Sequence, residues 1–329
     1  MRVGLMLTSE WGPDEDLTPK LDQLVEQVRV ARDSGFASIW IVQHFLSGPN
    51  RQFQAMPLLG RIAAETGEMT LGTSILLLPM LSPVLLAEEV AALDWFTGGR
   101  FVLGVGMGYR DHEFHAFGTR RSERVARFVE HIEVMRKLWT GEPVHHRGRF
   151  VRLEGQQVSL VPRQKGGVPI WIGATAEPAV RRAARIGDGW LTAGAMSFDE
   201  LGHLSNVFEQ ERREAGRPLD YVRQFSRECW VGPDDASAWA KVEKPIMSKY
   251  ERYSSFGFGP GGGGKPLEFR EIAEDRFVIG DEGRVRDELQ RYRDALRVDE
   301  FRFRMQWPGI EQADLLDSIR RMGRVAAKL

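Results

Sequence analysis

Cys229 is the only cysteine in these 329 residues, which excludes an internal disulfide and a cysteine-built metal cluster. Long hydrophobic runs are missing too: none approaches the ~18 apolar residues that a membrane helix needs. The apolar part of the amino terminus, MRVGLMLTSEWG, is too short for a secretory leader and reads as a first strand. No sign of charge dominates, because 45 Lys and Arg face 46 Asp and Glu for a formal net charge of −1. Neither nucleic acid nor an acidic membrane surface is therefore an expected partner. There is no Gly-Xxx-Ser-Xxx-Gly nucleophile elbow and no HExxH zinc motif. The default expectation is a soluble, cytoplasmic, globular protein of enzyme size, with no metal expected, its 42% hydrophobic content sufficient for one large core or two modest ones.

What is present is alternation. Thr70–Leu78 is apolar apart from small residues, Pro83–Trp95 switches to helical spacing with Leu86, Val90 and Leu93 on one face, and Arg100–Val105 is apolar again. Strands buried on both faces read as unbroken apolar runs, and a helical crossover between two of them implies a parallel sheet. The same rhythm gives strands at Val3–Thr8, Ala37–Val42, Val168–Ile172, Gly189–Leu191, Gln224–Val231 and Phe301–Met305. Helices are expected at Leu17–Ser34, with Thr18 as N-cap, and at Met56–Glu65, Arg121–Leu138, Pro178–Ile186, Phe198–Ala215 and from about Gln312. On the Arg121–Leu138 helix, Val125, Phe128, Ile132 and Met135 share the expected buried face.

Eight strand-then-helix units without a linker predict one α/β domain over 1–329, a (β/α)8 TIM barrel with insertions, with a doubly wound open sheet as the alternative. Both architectures put ligands at the carboxyl ends of strands. The expected insertions are a small hairpin at His145–Leu160 and the glycine-rich stretch 254–266, a candidate mobile lid.

Several motifs fall short of their usual meaning. Gly104-Val105-Gly106-Met107-Gly108 has glycines where a flat ligand can approach the backbone, but lacks the spacing and position of a dinucleotide fingerprint. Gly259–Lys265 fits a phosphate loop only nominally, since Pro266 stands where a Ser or Thr must bind magnesium. His112 and His115 read as surface histidines, and Glu88 and Glu89 as solvated helix carboxylates. His44 differs: it lies just past the strand ASIWIV, where a barrel keeps its chemistry, and a histidine there can serve as general acid or base.

Four stretches together resemble the bacterial luciferase-like family, whose members use FMN or the deazaflavin F420. They are Ile39–Phe45, Gly72–Pro79 with Ser82-Pro83, Leu93–Gly106 with Glu113-Phe114 and Phe117-Gly118, and Ile170–Ala174 with Arg182–Trp190. The carboxyl third is similar more weakly, through Ile279–Gly283 and Gln306–Pro308. The resemblance implies a TIM barrel, a homodimer, and an isoalloxazine ring in the barrel mouth. It places Ser74-Ile75 where members carry a non-prolyl cis peptide behind the ring. It puts the phosphate near Tyr109, Gly173, Ala174 and Thr175, with Arg124 as a cation and Gly106 beside the ring. His44 becomes the catalytic histidine. Trp11, Phe45, Phe53, Met107, Met196, Trp230 and Trp307 are the expected pocket lining, suggesting a small, mainly apolar substrate.

Two positions depart from the family pattern. Gln43 stands where an acidic residue usually flanks the histidine, and Met107 where luciferase proper has a phosphate-binding arginine. The reading that follows is a monooxygenase using O2 and reduced FMN, delivered transiently by a separate flavin reductase because the chain has no NAD(P)H fingerprint. The alternatives are an F420-dependent reductase or dehydrogenase on the same fold, and a non-catalytic flavin-binding barrel suggested only by Gln43.

Overall fold

The computed structural model describes residues 1–255, 269–273 and 275–329. Nine parallel strands line a curled sheet: β1 Arg2–Leu7, β2 Ser38–Ile41, β3 Thr70–Thr73, β4 Phe101–Gly106, β5 Ile170–Gly173, β6 Gly189–Leu191, β7 Gln224–Val231, β8 Phe277–Gly280 and β9 Glu300–Arg304. Their order is β6-β5-β4-β3-β2-β1-β9-β7-β8. Along its first half β7 pairs with β9, from Gln224↔Glu300 to Glu228↔Arg304, and along its second half with β8, from Glu228↔Phe277 to Val231↔Gly280. Between β6 and β7 the wall is joined by a side chain, the Ser226 N–H donating to Thr192 Oγ1 at 2.8 Å. The eight strands expected from the sequence are all present. The additional one, β8, follows the 256–268 segment, where no helical or strand period announced a new unit. Most of the candidate lid at 254–266 lies outside the described residues.

The helices packed outside are α1 Lys20–Asp33, α2 Ala55–Ile62, α3 Pro83–Phe96, α4 Asp111–Ala116, α5 Arg124–Leu138, α6 Glu177–Ile186, α7 Phe198–Glu214, α8 Asp235–Ser255, α9 Phe269–Ala273, α10 Glu282–Leu296 and α11 Gln312–Ala326. Period-two alternation divides each barrel strand between two cores. On β4, Phe101, Leu103 and Val105 join the large core beneath the helices, while Val102 joins Met6, Trp40, Trp171 and Leu191 inside the barrel. Trp40 and Trp171 stack there with ring centroids 5.4 Å apart. That interior leaves no room for other side chains: a Cβ on Gly72 would sit 2.4 Å from the Trp40 ring, and one on Gly104 1.8 Å from the Thr73 carbonyl oxygen. Thr73 Oγ1 holds the same glycine through both its N–H (2.8 Å) and its carbonyl (2.7 Å).

Local details depart from the expected pattern. Thr18 does not cap α1; Pro19 occupies that position without a side-chain bond, and the Thr18 N–H is turned back to Asp16 Oδ1 at 2.9 Å. Val125 is exposed, because α5 begins only at Arg124 after a 3-10 turn over Arg121–Glu123 and its first turn projects beyond the core. The hairpin is tighter than 145–160, pairing Val144–Arg147 with Arg152–Gln156. His112 and His115 are exposed but lie on α4 rather than in a loop.

Candidate active site

A cavity of about 410 Å³ opens at the carboxyl ends of the strands, within the range of small-molecule and cofactor pockets. Its central feature is the segment after β3. The chain leaves Thr73, passes a cis peptide between Ser74 and Ile75, and rejoins β4 through Leu76↔Val105 and Leu77↔Gly106. Ile75 then lies across two glycines: a Cβ on Gly106 would come within 2.3 Å of its Cδ1, and one on Gly173 within 3.0 Å of its Cγ2. The absent side chains make room for an isoleucine platform that lines the cavity together with Ser74, Gly106 and Gly173. Gln43 has a task here, since its Oε1 accepts the Leu77 N–H at 3.2 Å and so ties the end of β2 to the platform.

His44 also faces this cavity. Its Nδ1 lies 3.2 Å from Glu113 Oε1, and the same oxygen accepts the Phe45 N–H at 2.9 Å. Burial pushes the Glu113 carboxyl up, but the hydrogen bonds from His44 and Phe45 and the charges of His44 and Arg110 outweigh it and hold it below its ordinary value. The carboxylate that Gln43 withholds thus comes from α4, 69 residues further along the chain. Tyr109 sets its ring edge-on to the imidazole at 5.7 Å. A histidine paired with a carboxylate on one nitrogen and open to a cavity can accept or deliver a proton there.

At the phosphate end, Ala174, Thr175 and Ala176 lead into α6 along the cavity wall. Ala176, the N-cap, contributes no side-chain bond; Pro178 has no N–H, and Ala179 and Val180 donate to the Ala176 carbonyl at 2.9 and 3.0 Å, so the Glu177 N–H is the first-turn donor left for an anion. Arg121 and Arg124 line the same end. Arg182, which sequence reasoning passed over as a helix residue, belongs to the cluster: burial first, then the charges of Arg124 and Arg185, pushes its guanidinium down. A flat apolar platform with a cationic end suits an isoalloxazine carrying a phosphate.

The aromatic lining expected from the sequence is corrected. Of those seven residues only Met107 reaches the cavity. Trp11 packs edge-on against Phe53 at 5.0 Å, Phe45 against Phe117 at 4.5 Å, and Trp230 against Trp307 at 6.4 Å, while Met196 is buried in the large core. Each satisfies its apolar surface against a neighbour instead of the cavity. In their place stand Glu10, Glu228, Lys249, Tyr250 and Arg304. Glu228 is buried, ion-paired with Lys249, and takes hydrogen bonds from Tyr250 Oη (3.4 Å) and Trp307 Nε1 (2.9 Å). The far wall is therefore polar, while the rest of the lining, with Met6, Val42, Ile75, Leu77 and Leu191, keeps the cavity mainly apolar. The polar wall's one sequence signal was Glu228 on an inward position of an otherwise buried strand, QFSRECWV.

Comparison with known proteins fits this geometry. Residues 1–298 match the model of the luciferase-like monooxygenase family. The chain belongs to that family. Among its relatives is the F420-dependent glucose-6-phosphate dehydrogenase of Nocardia farcinica, 26% identical over 289 residues that cover 83% of this chain and 85% of the relative. The oxygenating constituent of 3,6-diketocamphane monooxygenase from a Pseudomonas putida plasmid, solved in complex with FMN, shares the fold at TM-score 0.84 and 19% identity, covering 100% of this chain and 99% of that one. An F420-dependent secondary alcohol dehydrogenase does so at TM-score 0.80 and 21% identity, with 97% of each chain covered. The luciferase-like family thus has FMN- and F420-dependent oxidoreductases among its members, monooxygenases included, and this chain is one of its enzymes.

Proposed function

We propose that this luciferase-like protein is a monooxygenase that takes reduced FMN from a separate reductase in the cytoplasm and uses O2 to oxygenate a small organic substrate. The observation that carries it is the His44–Glu113 pair facing a cavity with an Ile75 platform and an arginine-flanked end. Bound reduced FMN would supply the electrons that activate oxygen. The chain's own residues do the rest. Ile75, Gly106 and Gly173 hold a flat ring against an apolar surface that excludes water. Arg124 and the start of α6 take the phosphate. His44, with Nδ1 held by Glu113, offers its other nitrogen for proton transfer. Because Glu113 restores a carboxylate to the histidine, Gln43 no longer argues for a barrel without catalysis.

The Glu228–Lys249–Tyr250 wall favours a substrate bearing a carbonyl or hydroxyl group. The same wall suits a second reading, hydride transfer to or from F420 with His44 exchanging the proton of a substrate hydroxyl. Anaerobic titration with reduced FMN and reduced F420, followed by oxygen uptake during turnover, separates the two. FMN preference with oxygen uptake supports the first, F420 preference without it the second, and binding of neither sinks both. In whichever assay is productive, His44→Ala should cost about 10²- to 10⁴-fold in turnover without loss of cofactor binding. A homodimer is the proposed assembly. Leu85, Trp95 and Phe96 on α3 are 59%, 47% and 65% exposed and supply an apolar face for a second copy. Sedimentation as a monomer at micromolar concentration would rule that assembly out.

A further inference from the structure

The inward positions of β9 carry Glu300, Arg302 and Arg304, so one strand lays three charges up the inside of the barrel. Two of them have evident settings. Glu300, at the closed end, accepts hydrogen bonds from Ser38 (2.5 Å) and Gln224 (2.9 Å) and lies 3.4 Å from Arg2. Arg304 lines the cavity. Arg302, between them, is the unusual one. It is fully buried, and among the described residues it makes no ion pair. Its Nη2 donates to the Thr192 carbonyl at 3.1 Å, its guanidinium lies 5.3 Å from the Trp40 ring centre, and its Nε has no partner. Its Nη1 donates to Ser74 Oγ, and Ser74 is part of the cavity floor.

A buried guanidinium with no carboxylate in contact is costly; Glu300, two residues back on the same face, acts on it only through space, and that incomplete counter-charge is the point of interest. Burial lowers its pKa to about 9, which leaves it cationic at neutral pH. Because Ser74 Oγ accepts from Arg302, its own proton is free to point away, toward the cavity. A positive charge thus lies one hydroxyl below the surface on which a ligand rests.

Resting on the proposal that an isoalloxazine ring occupies this cavity, we infer that Arg302, acting through the Ser74 hydroxyl, favours the negatively charged reduced ring over the neutral oxidised one. Two electrons and one proton added to the ring give a monoanion, the electrons coming from a reductase in use and from dithionite in the test. The second proton need not be taken up when a fixed cation answers the charge. Arg302 is a positioning residue: it does not line the cavity, and Ser74 carries its effect.

The test measures dissociation constants for oxidised FMN and, anaerobically, for reduced FMN, in wild type, Arg302→Met, Arg302→Lys and Ser74→Ala. Arg302→Met should weaken reduced-cofactor binding at least tenfold more than oxidised, equivalent to lowering the bound two-electron potential by about 30 mV. Arg302→Lys should recover part of that loss, and Ser74→Ala should lose a smaller part. A folded Arg302→Met with an unchanged ratio of the two affinities overturns the inference. Should Arg302→Met fail to fold, an unchanged ratio in Ser74→Ala overturns it instead. A wild type that binds neither form of FMN overturns the functional proposal and this inference together, whereas binding with a flat ratio overturns the inference alone.

Discussion

From β2 to β5 the cavity is bounded by Ser74, Ile75, Gly106, Gly173 and the backbone leading into α6; from β7 to β9 it is bounded by Glu228, Lys249, Tyr250 and Arg304. The first wall works by close approach, through glycines whose missing Cβ atoms admit a neighbour. The second works by charged side chains that balance one another across elements distant in sequence, as Glu228 on β7 does with Lys249 on α8. A wall made of backbone tolerates almost no added atom, and a wall made of ion pairs tolerates no lost partner.

The sharpest way to break the comparison is to add one methyl group to the first wall's support. Gly104→Ala would drive a Cβ into the Thr73 carbonyl, with no flexible atom to yield, and should cost at least about 3 kcal/mol or prevent folding. Gly60→Ala is the control: it lies on α2 with nothing within 4 Å of its would-be Cβ, and should instead gain about 0.5–1 kcal/mol. Urea unfolding of both variants checks the contrast, and equal effects would remove the distinction.

Next in size is the loss of a partner from the second wall. Lys249→Met leaves the Glu228 carboxylate buried opposite an apolar group and should destabilise by about 3–5 kcal/mol. Adding Glu228→Gln should return much of that, because the uncompensated charge is then gone. A double variant no more stable than the single one would mean that the pair does not carry this wall.

The smallest effect is expected at Glu113, a charged partner that α4 brings to His44 behind the first wall. Its folded pKa lies below the ordinary 4.5, so its contribution is complete above that value and is lost as pH falls through the lowered one. Glu113→Gln should cost about 1 kcal/mol at neutral pH, since the neutral amide can still accept the Phe45 N–H. It should also flatten the acid limb of stability in proportion. A wild-type acid limb retained in the variant would show that Glu113 is not its source.

The difference between the walls also accounts for what was readable in advance. His44 drew attention from the residues alone, because a histidine just past a buried strand has a local meaning, whereas Ser74, Ile75, Gly106, Gly173 and Ala174 were placed by the short motifs that resemble the luciferase-like family. Their cavity exposure follows directly from which end of the strand they occupy. Glu113, Arg182, Glu228, Lys249 and Arg302 could not be assigned their tasks this way. Each acts through a partner from another element: Glu113 reaches back 69 residues to His44, and Arg302 spans 228 residues to Ser74. The aromatic lining erred for the same reason, since Trp11, Phe53, Trp230 and Trp307 are apolar surfaces that need only some neighbour, and the neighbour was not the ligand.

The alternation of units and eight of the nine strands were determined by the sequence alone, because apolar period is a property of a few consecutive residues; β8 was not. Only the tertiary structure decided which carboxylate serves His44, which wall is polar and where a charge lies buried beneath the floor. Those depend on strand register, which brings Glu228 level with Arg304 and Gln224 with Glu300, and a register exists only once the sheet has curled.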